Sequence, residues 1–272
     1  MRNPIADAFV STPNCSSRNG IDVDGIVLHF TRGGDAKGTL RWFQMKEAKV
    51  SAHYVVSRSG KIYQMVMENR AAWHAGSSSS VPKLNGRKHL NGFTIGIEIC
   101  NWGPLFKAIR DEDVSLRDGT IARRVTDKIY CAAQRWTREY KGPTPEIHHK
   151  NTDVIKKMKF WPGQDHVYLW EPYSEAQLEA VRNLLIDIIV NRYPHIEREW
   201  VARHQDTDPT RKLDPGPAFP FASIMDDIFG TEEESTDIQI GNRKSEAVPF
   251  EDVAEMSSRR HEDKTVFGCQ WK

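Results

Sequence analysis

The sequence predicts an α/β domain. Two apolar runs of strand length carry that expectation, together with one long amphipathic helical stripe. GIVLHF (25–30) is short, apolar and rich in branched side chains, the profile of a buried strand. TIGIEIC (94–100) alternates Ile95, Ile97 and Ile99 against Thr94, Gly96, Glu98 and Cys100. A period of two sends Glu98 to the face opposite the three isoleucines. Leu178, Val181, Leu185, Ile188 and Ile189 repeat at helical spacing up to Pro194, and Ser174 with Gln177 forms a capping-box signature ahead of them.

The remaining elements follow in chain order. Residues 1–24 read as an irregular lead-in. Residues 38–48 hold Leu40, Phe43 and Ala48, a weak helical signal. HYVVSRSGKIYQMV (53–66) is two strand-like runs around Ser59-Gly60, a hairpin pattern. Val125, Ile129, Ala132, Trp136 and Tyr140 have helix spacing and predict a helix within 121–140. Residues 141–173 are polar and proline-rich, a long loop or insert. Strands mixed with helices over roughly 225 residues fit one domain. After Gly230 the chain turns acidic and loses its apolar period, so 231–272 reads as a flexible acidic tail. VFGCQW (266–271) is locally apolar, which leaves a protein partner for the tail as the other reading.

Composition excludes several classes. Lys and Arg number 38 against 37 Asp and Glu, a net charge of +1, so no field gathers nucleic acid or anionic lipid. The first 230 residues alone are mildly basic, which suits an anionic polymer. No apolar run approaches the roughly 18 residues of a membrane span. Cys15, Cys100, Cys131 and Cys269 are scattered with no Cys-x-x-Cys pair, which argues for free thiols. The first twenty residues lack an apolar signal core, so the expectation is a chain cytoplasmic as synthesised, with export by a signal-independent route or by lysis.

The ten histidines are sorted by position. His29 ends the first buried strand, where a side chain projects into a cleft. His204 lies ten residues before Asp214, across a polar loop containing Pro209 that is able to fold the carboxylate back. Two imidazoles and a carboxylate make a zinc site with one open position. His148-His149 is the competing pair. Successive side chains diverge, so a surface or substrate-facing role suits it better. Cys100 reads as a buried structural thiol and not as a nucleophile.

Five segments in order resemble one family. They are IVLHFT (26–31), SAHYVVSRSGKIYQMV (51–66), AAWHAG (71–76), TIGIEICN (94–101) and RHQDTDPTRKLDPGPAF (203–219). The pattern is similar to the zinc-dependent N-acetylmuramoyl-L-alanine amidases of type 2. That family takes in muropeptide-recycling enzymes, phage endolysins and peptidoglycan recognition proteins. The resemblance spans roughly 190 residues and leaves out the insert, about 103–169, and the tail. It implies a central mixed sheet flanked by helices, an amidase domain over 1–230, and one catalytic zinc on His29, His204 and Asp214. It implies Glu98 as the catalytic carboxylate and Lys212 as the cation facing the transition state. It implies His53, His74 and Asn101 as substrate-binding positions.

Two departures stand out. Ala52 precedes His53 where some phage-type members carry Tyr, which makes Glu98 the better base. Arg203 precedes His204 where a small residue is common. The implied reaction is hydrolysis of the bond between N-acetylmuramic acid and L-Ala, in peptidoglycan or muropeptides. A non-catalytic peptidoglycan-binding module is the alternative, but it has no need of all five metal and catalytic residues. Within the enzyme reading, cytoplasmic recycling, a phage endolysin and a secreted antibacterial effector remain open.

Overall fold

The structure is a computed structural model of the 272-residue chain. It describes residues 2–76, 84–107, 113–115, 121–123, 129–133, 136–148, 168–209 and 211–231. The chain divides into Met1–Phe229 and Gly230–Lys272. Residues 232–272, and with them the expected tail and its VFGCQW stretch, lie outside the described residues.

In chain order the strands begin with β1 (Ala8–Phe9), β2 (Cys15–Ser17) and β3 (Gly25–Phe30), followed by helix α1 (Ala36–Gln44). Next come β4 (Tyr54–Val56), β5 (Ile62–Gln64), β6 (Arg70–Ala72) and β7 (Thr94–Ile99). The insert contributes β8 (Pro104–Lys107), β9 (Asp113–Ser115), β10 (Ile121–Arg123), β11 (Ile129–Ala133), β12 (Trp136–Glu139), β13 (Glu146–His148) and β14 (Tyr168–Trp170). Helix α2 (Glu175–Ile186), β15 (Val201–Arg203), α3 (His204–Thr207) and α4 (Phe221–Phe229) complete the described chain.

The main sheet is mixed and six-stranded, in the order β1-β5-β4-β7-β3-β15. Its central strands β4, β7, β3 and β15 run parallel, while β4 and β5 form the antiparallel hairpin. Gly60 turns that hairpin at φ +78, and a Cβ there would meet the Ala176 carbonyl at 2.6 Å. One sheet face is apolar over its central strands. Ile26, Leu28, Ile95, Ile97 and Ile99 are each fully buried against Val181, Leu184 and Leu185 of α2 and Ile224 and Met225 of α4. Each such side chain contributes about 1.5–3 kcal/mol by leaving water. Both halves of the capping box at Ser174 and Gln177 form, so α2 starts where its orphan N–H groups find partners. Its end widens into a π turn at Asp187–Arg192, which carries Ile188 and Ile189 onto the same core.

The other face is mixed. Val27 and Ala202 pack under Leu90 and Phe93, and Val55 packs with Phe43 of α1, Met65 and Cys100. Between these two clusters the face carries polar side chains, and there the candidate site lies.

Three sequence expectations change. Of the residues at helical spacing in 121–140, Ile129, Ala132 and Trp136 lie in strands, because β11 lies between β8 and β12 in a five-stranded antiparallel sheet ordered β12-β11-β8-β14-β13, and Val125 lies outside the described residues. The branched and aromatic residues of this stretch favour a pleat, and Cys131 and Ile129, two apart, pack on Trp102 and Leu105. Residues 146–148 and 168–170 of the expected loop belong to the same sheet. The lead-in supplies β1 to the main sheet and β2 to a ladder with β6.

The insert is rooted at one point. Glu171, its side chain buried, accepts hydrogen bonds from the Trp102 N–H at 2.5 Å and from Arg58. The Glu171 N–H returns to the Gly103 carbonyl at 3.1 Å, and Asn101 Nδ2 donates to the Glu171 carbonyl at 3.1 Å. Entry and exit of the insert are therefore joined directly. Among the described residues, no helix is long and apolar enough to cross a membrane.

Candidate active site

Parallel pairing sets His29 of β3 level with Glu98 of β7. On the other side of β3, β15 pairs Arg203 with Leu28, so the next residue, His204, comes level with His29. Three polar side chains thus meet at the carboxyl ends of adjacent parallel strands, the usual position for a site in such sheets.

Asp214 reaches them from the loop after α3. The Gln205 N–H donates to the Asp214 carbonyl at 2.9 Å, and the Gly216 N–H donates to Gln205 Oε1 at 3.2 Å. The buried Tyr173 hydroxyl donates to the Pro215 carbonyl at 2.8 Å. Gly216 sits at φ +83, and a Cβ there would stand 2.4 Å from the Trp170 ring. A side chain at 216 would push the turn, and Asp214 with it, off this seat.

His29 Nδ1 lies 2.9 Å and His204 Nδ1 2.8 Å from the same oxygen, Asp214 Oδ2. One ligand atom from each of the three residues falls within 4.8 Å of the others. All three are buried. Burial, and then the neighbouring His204, push the His29 imidazole down to about 4. Burial alone would raise Asp214, but His204 and His29 outweigh it and hold the carboxyl well below the usual range. A neutral imidazole and an ionised carboxylate are the ligand forms a divalent ion requires. Two buried polar atoms here, Glu98 Oε2 and His204 Nε2, have no partner among the described residues, as fits a site built around another group. The donor set therefore suits zinc, with three protein ligands and one position open.

Glu98 is partly buried. Burial first, and then Asp214, push its carboxyl well above the usual range, while Lys212 opposes them. Lys212 is half-buried two residues before Asp214, and its charge is felt by both Glu98 and His29. Arg32, just past β3, is half-buried with its charge toward Asp214; its place in the site was not anticipated, and no sequence signal marks it.

His74 joins the cluster through Nδ1, 3.0 Å from His29 Nε2. His53 does not reach the cleft. It is fully buried, its Nδ1 accepts from the Gly96 N–H at 3.0 Å, and its Nε2 lies 2.9 Å from the Arg70 carbonyl and from Arg18. Asn101 is likewise turned inward. Its side chain accepts from the Gly103 N–H at 2.6 Å and donates to the Glu171 carbonyl. Both side chains, expected to face substrate, make their hydrogen bonds to backbone groups here. His148 lies apart on β13, 2.8 Å from Glu146, and His149 lies outside the described residues. Cys100 is buried, and burial pushes its thiol up to about 12, so it is inert. Thr94 and Gly96, on the Glu98 side of β7, also line the cluster; the alternation of TIGIEI was their sequence signal.

The family model described as N-acetylmuramoyl-L-alanine amidase matches residues 19–217. N-acetylmuramoyl-L-alanine amidase A of Achromobacter lyticus is 31% identical over 159 residues, covering 57% of this chain and 75% of that protein. The 1,6-anhydro-N-acetylmuramyl-L-alanine amidase AmpD of Haemophilus influenzae is 31% identical over 157 residues, 56% of this chain and 72% of that protein. N-acetylmuramoyl-L-alanine amidase AmiD of Escherichia coli K12 is 28% identical over 212 residues, 75% of this chain but 53% of that protein.

Proposed function

The chain belongs to the N-acetylmuramoyl-L-alanine amidase family, and on that premise we propose a zinc-dependent hydrolase that separates N-acetylmuramic acid from L-Ala in peptidoglycan or its soluble fragments. The observation that carries the reading is the convergence of His29, His204 and Asp214 at strand ends, with Glu98 in register beside His29. The site residues of this chain take the roles that follow.

His29, His204 and Asp214 would hold the zinc. When bound, zinc supplies a Lewis acid for the amide carbonyl and lowers the pKa of bound water to about 7. Glu98 Oε2, without a partner among the described residues, accepts the proton of the attacking water and delivers it to the departing amine of L-Ala. Burial and Asp214 raise its carboxyl above the usual carboxylate range, the direction that makes a carboxylate a stronger base. The Lys212 ammonium faces the oxygen that gains negative charge; one such contact is worth about 3–4 kcal/mol in comparable sites. The buried walls of the cluster strengthen both effects by excluding water.

A pure recognition module would need neither a proton carrier beside the metal ligands nor a cation next to both, so the enzyme reading is favoured. The test is hydrolysis by purified protein of intact peptidoglycan sacculi and of a soluble 1,6-anhydro-muramyl tripeptide, with and without a zinc chelator. Mass spectrometry reads the released stem peptides. Chelator-sensitive release of peptides headed by free L-Ala supports the proposal, and the preferred substrate separates recycling from wall attack. Binding of both substrates with no release would overturn it in favour of the recognition module.

A further inference from the structure

The three-ligand centre does not account for His74, Thr94 and the bare backbone of Gly96, which stand behind His29. The Thr94 hydroxyl lies 2.7 Å from the Leu90 carbonyl and 3.2 Å from His74 Nε2. His74 Nδ1 lies 3.0 Å from His29 Nε2, and His29 Nδ1 lies 2.9 Å from Asp214 Oδ2. The two imidazoles are set edge to face, with centroids 5.1 Å apart. The chain of contacts thus runs from a backbone carbonyl to the metal-ligating carboxylate.

Hydrogen positions follow from one end. A carbonyl only accepts, and a threonine hydroxyl has a single hydrogen. Two oxygens 2.7 Å apart need that hydrogen between them, so Thr94 donates to Leu90. Toward His74 the Thr94 oxygen is then an acceptor, and His74 Nε2 carries the hydrogen. A neutral His74 therefore has a bare Nδ1, which accepts from His29 Nε2–H. A neutral His29 is left with a bare Nδ1 facing a carboxylate at 2.9 Å. Two acceptors at that distance repel unless a cation lies with them. Only a neutral imidazole ligates a metal ion, so the neutral form of His29 is the one the relay must hold.

The framework around the relay is rigid. Asn91 Oδ1 accepts from the backbone N–H of His74 at 3.1 Å and of Ala75 at 2.8 Å. The His74 ring lies on Gly96, where a Cβ would stand 2.3 Å from it. His204 has nothing of the kind: its Nδ1 meets the same Asp214 oxygen, while its Nε2 has no partner among the described residues.

We propose that Thr94 and His74 are positioning residues, which hold His29 in the Nε2–H form and so present its bare Nδ1 to the metal. The inference rests on the zinc site proposed above. Hydrogen-bonding partners behind a ligand typically change metal affinity 10- to 100-fold.

The experiment uses the full chain, labelled with nitrogen-15. Long-range proton–nitrogen correlation spectra of the metal-free protein at neutral pH are expected to show His74 protonated at Nε2 and bare at Nδ1. Zinc affinity is then measured by competition with a chromophoric chelator. Thr94→Val, which keeps the shape but removes the acceptor, is expected to weaken zinc binding about 10- to 100-fold. Thr94→Ser restores the acceptor and is expected to bind zinc like the unaltered chain. A general packing defect would not be repaired by serine, which is smaller still. Protonation of His74 at Nδ1, or a folded Thr94→Val protein with unaltered zinc affinity, overturns the proposal. If Thr94→Val fails to fold, the spectrum of the unaltered chain decides. If the unaltered chain binds no zinc, the metal reading fails, while the His74 spectrum still decides the direction of the relay.

Discussion

Replacing Glu98 by Gln keeps the size and shape of the side chain and removes only its capacity to take a proton. General acid–base groups contribute about 10²–10⁴ in rate. At about 1.36 kcal/mol per decade, that is roughly 2.7–5.5 kcal/mol of barrier. Two features place Glu98 toward the upper end. Its Oε2 has no competing partner among the described residues, and burial with Asp214 shifts its carboxyl upward. Glu98→Gln is thus expected to lower kcat by about 10³–10⁴. Zinc content is expected to stay at one per chain, because Glu98 is not among the three convergent ligands. The melting temperature is not expected to fall, since the substitution relieves the opposition between two neighbouring carboxylates. The assay is stem-peptide release from sacculi by mass spectrometry, with zinc measured on the same preparation. A Gln variant with wild-type turnover refutes the proton-carrier role, and one that has lost its zinc makes Glu98 a ligand.

Further predictions concern the scaffold. Gly216→Ala places a methyl 2.4 Å from the Trp170 ring at φ +83; it is expected to cost about 1–3 kcal/mol in thermal unfolding and to weaken zinc binding, because Asp214 shares the turn. Ser174→Ala removes the α2 cap and the hydrogen bond to the Arg58 carbonyl; a loss of about 0.5–2 kcal/mol is expected by denaturant titration, with kcat unchanged. Cys100, its thiol pushed up to about 12, is expected to resist iodoacetamide at pH 8 in the native chain and to react once unfolded, as peptide mapping would read. A chain ending at Phe229 is expected to keep its melting temperature; an unfolded product refutes the reading of 231–272 as a flexible tail.

The central strands, the face that carries Glu98 and the start of α2 were legible because each rests on a local pattern. The period of TIGIEI assigns Ile95, Ile97 and Ile99 to one core and Glu98 to the other face from the sequence alone, and the capping box locates the start of α2. Asp214 was legible through its motif, not through physics, since only the folded turn between Gln205 and Tyr173 aims it at His29. The 121–140 stretch misled because its apolar residues match a helical period by coincidence, while its pairing with β8 is a long-range contact that no local pattern encodes. The orientation of His53 and Asn101 was not legible for a related reason. Proximity in a motif does not tell which way a polar side chain turns, and both are consumed by backbone groups distant in sequence.

The knot of hydrogen bonds among Asn101, Trp102, Gly103 and Glu171 separates two design problems. Because the departing and returning strands are tied to each other at their base, the polypeptide between them closes its own ring. The entropy of closing that ring grows only with the logarithm of its length, about 0.6 kcal/mol per doubling. Residues can be added to or removed from the insert at small thermodynamic cost and without moving the catalytic strand ends. Glu98 lies three residues before this knot, and the Trp170 ring braces Gly216 just behind it. The same tie that frees the insert to vary holds the chemistry still.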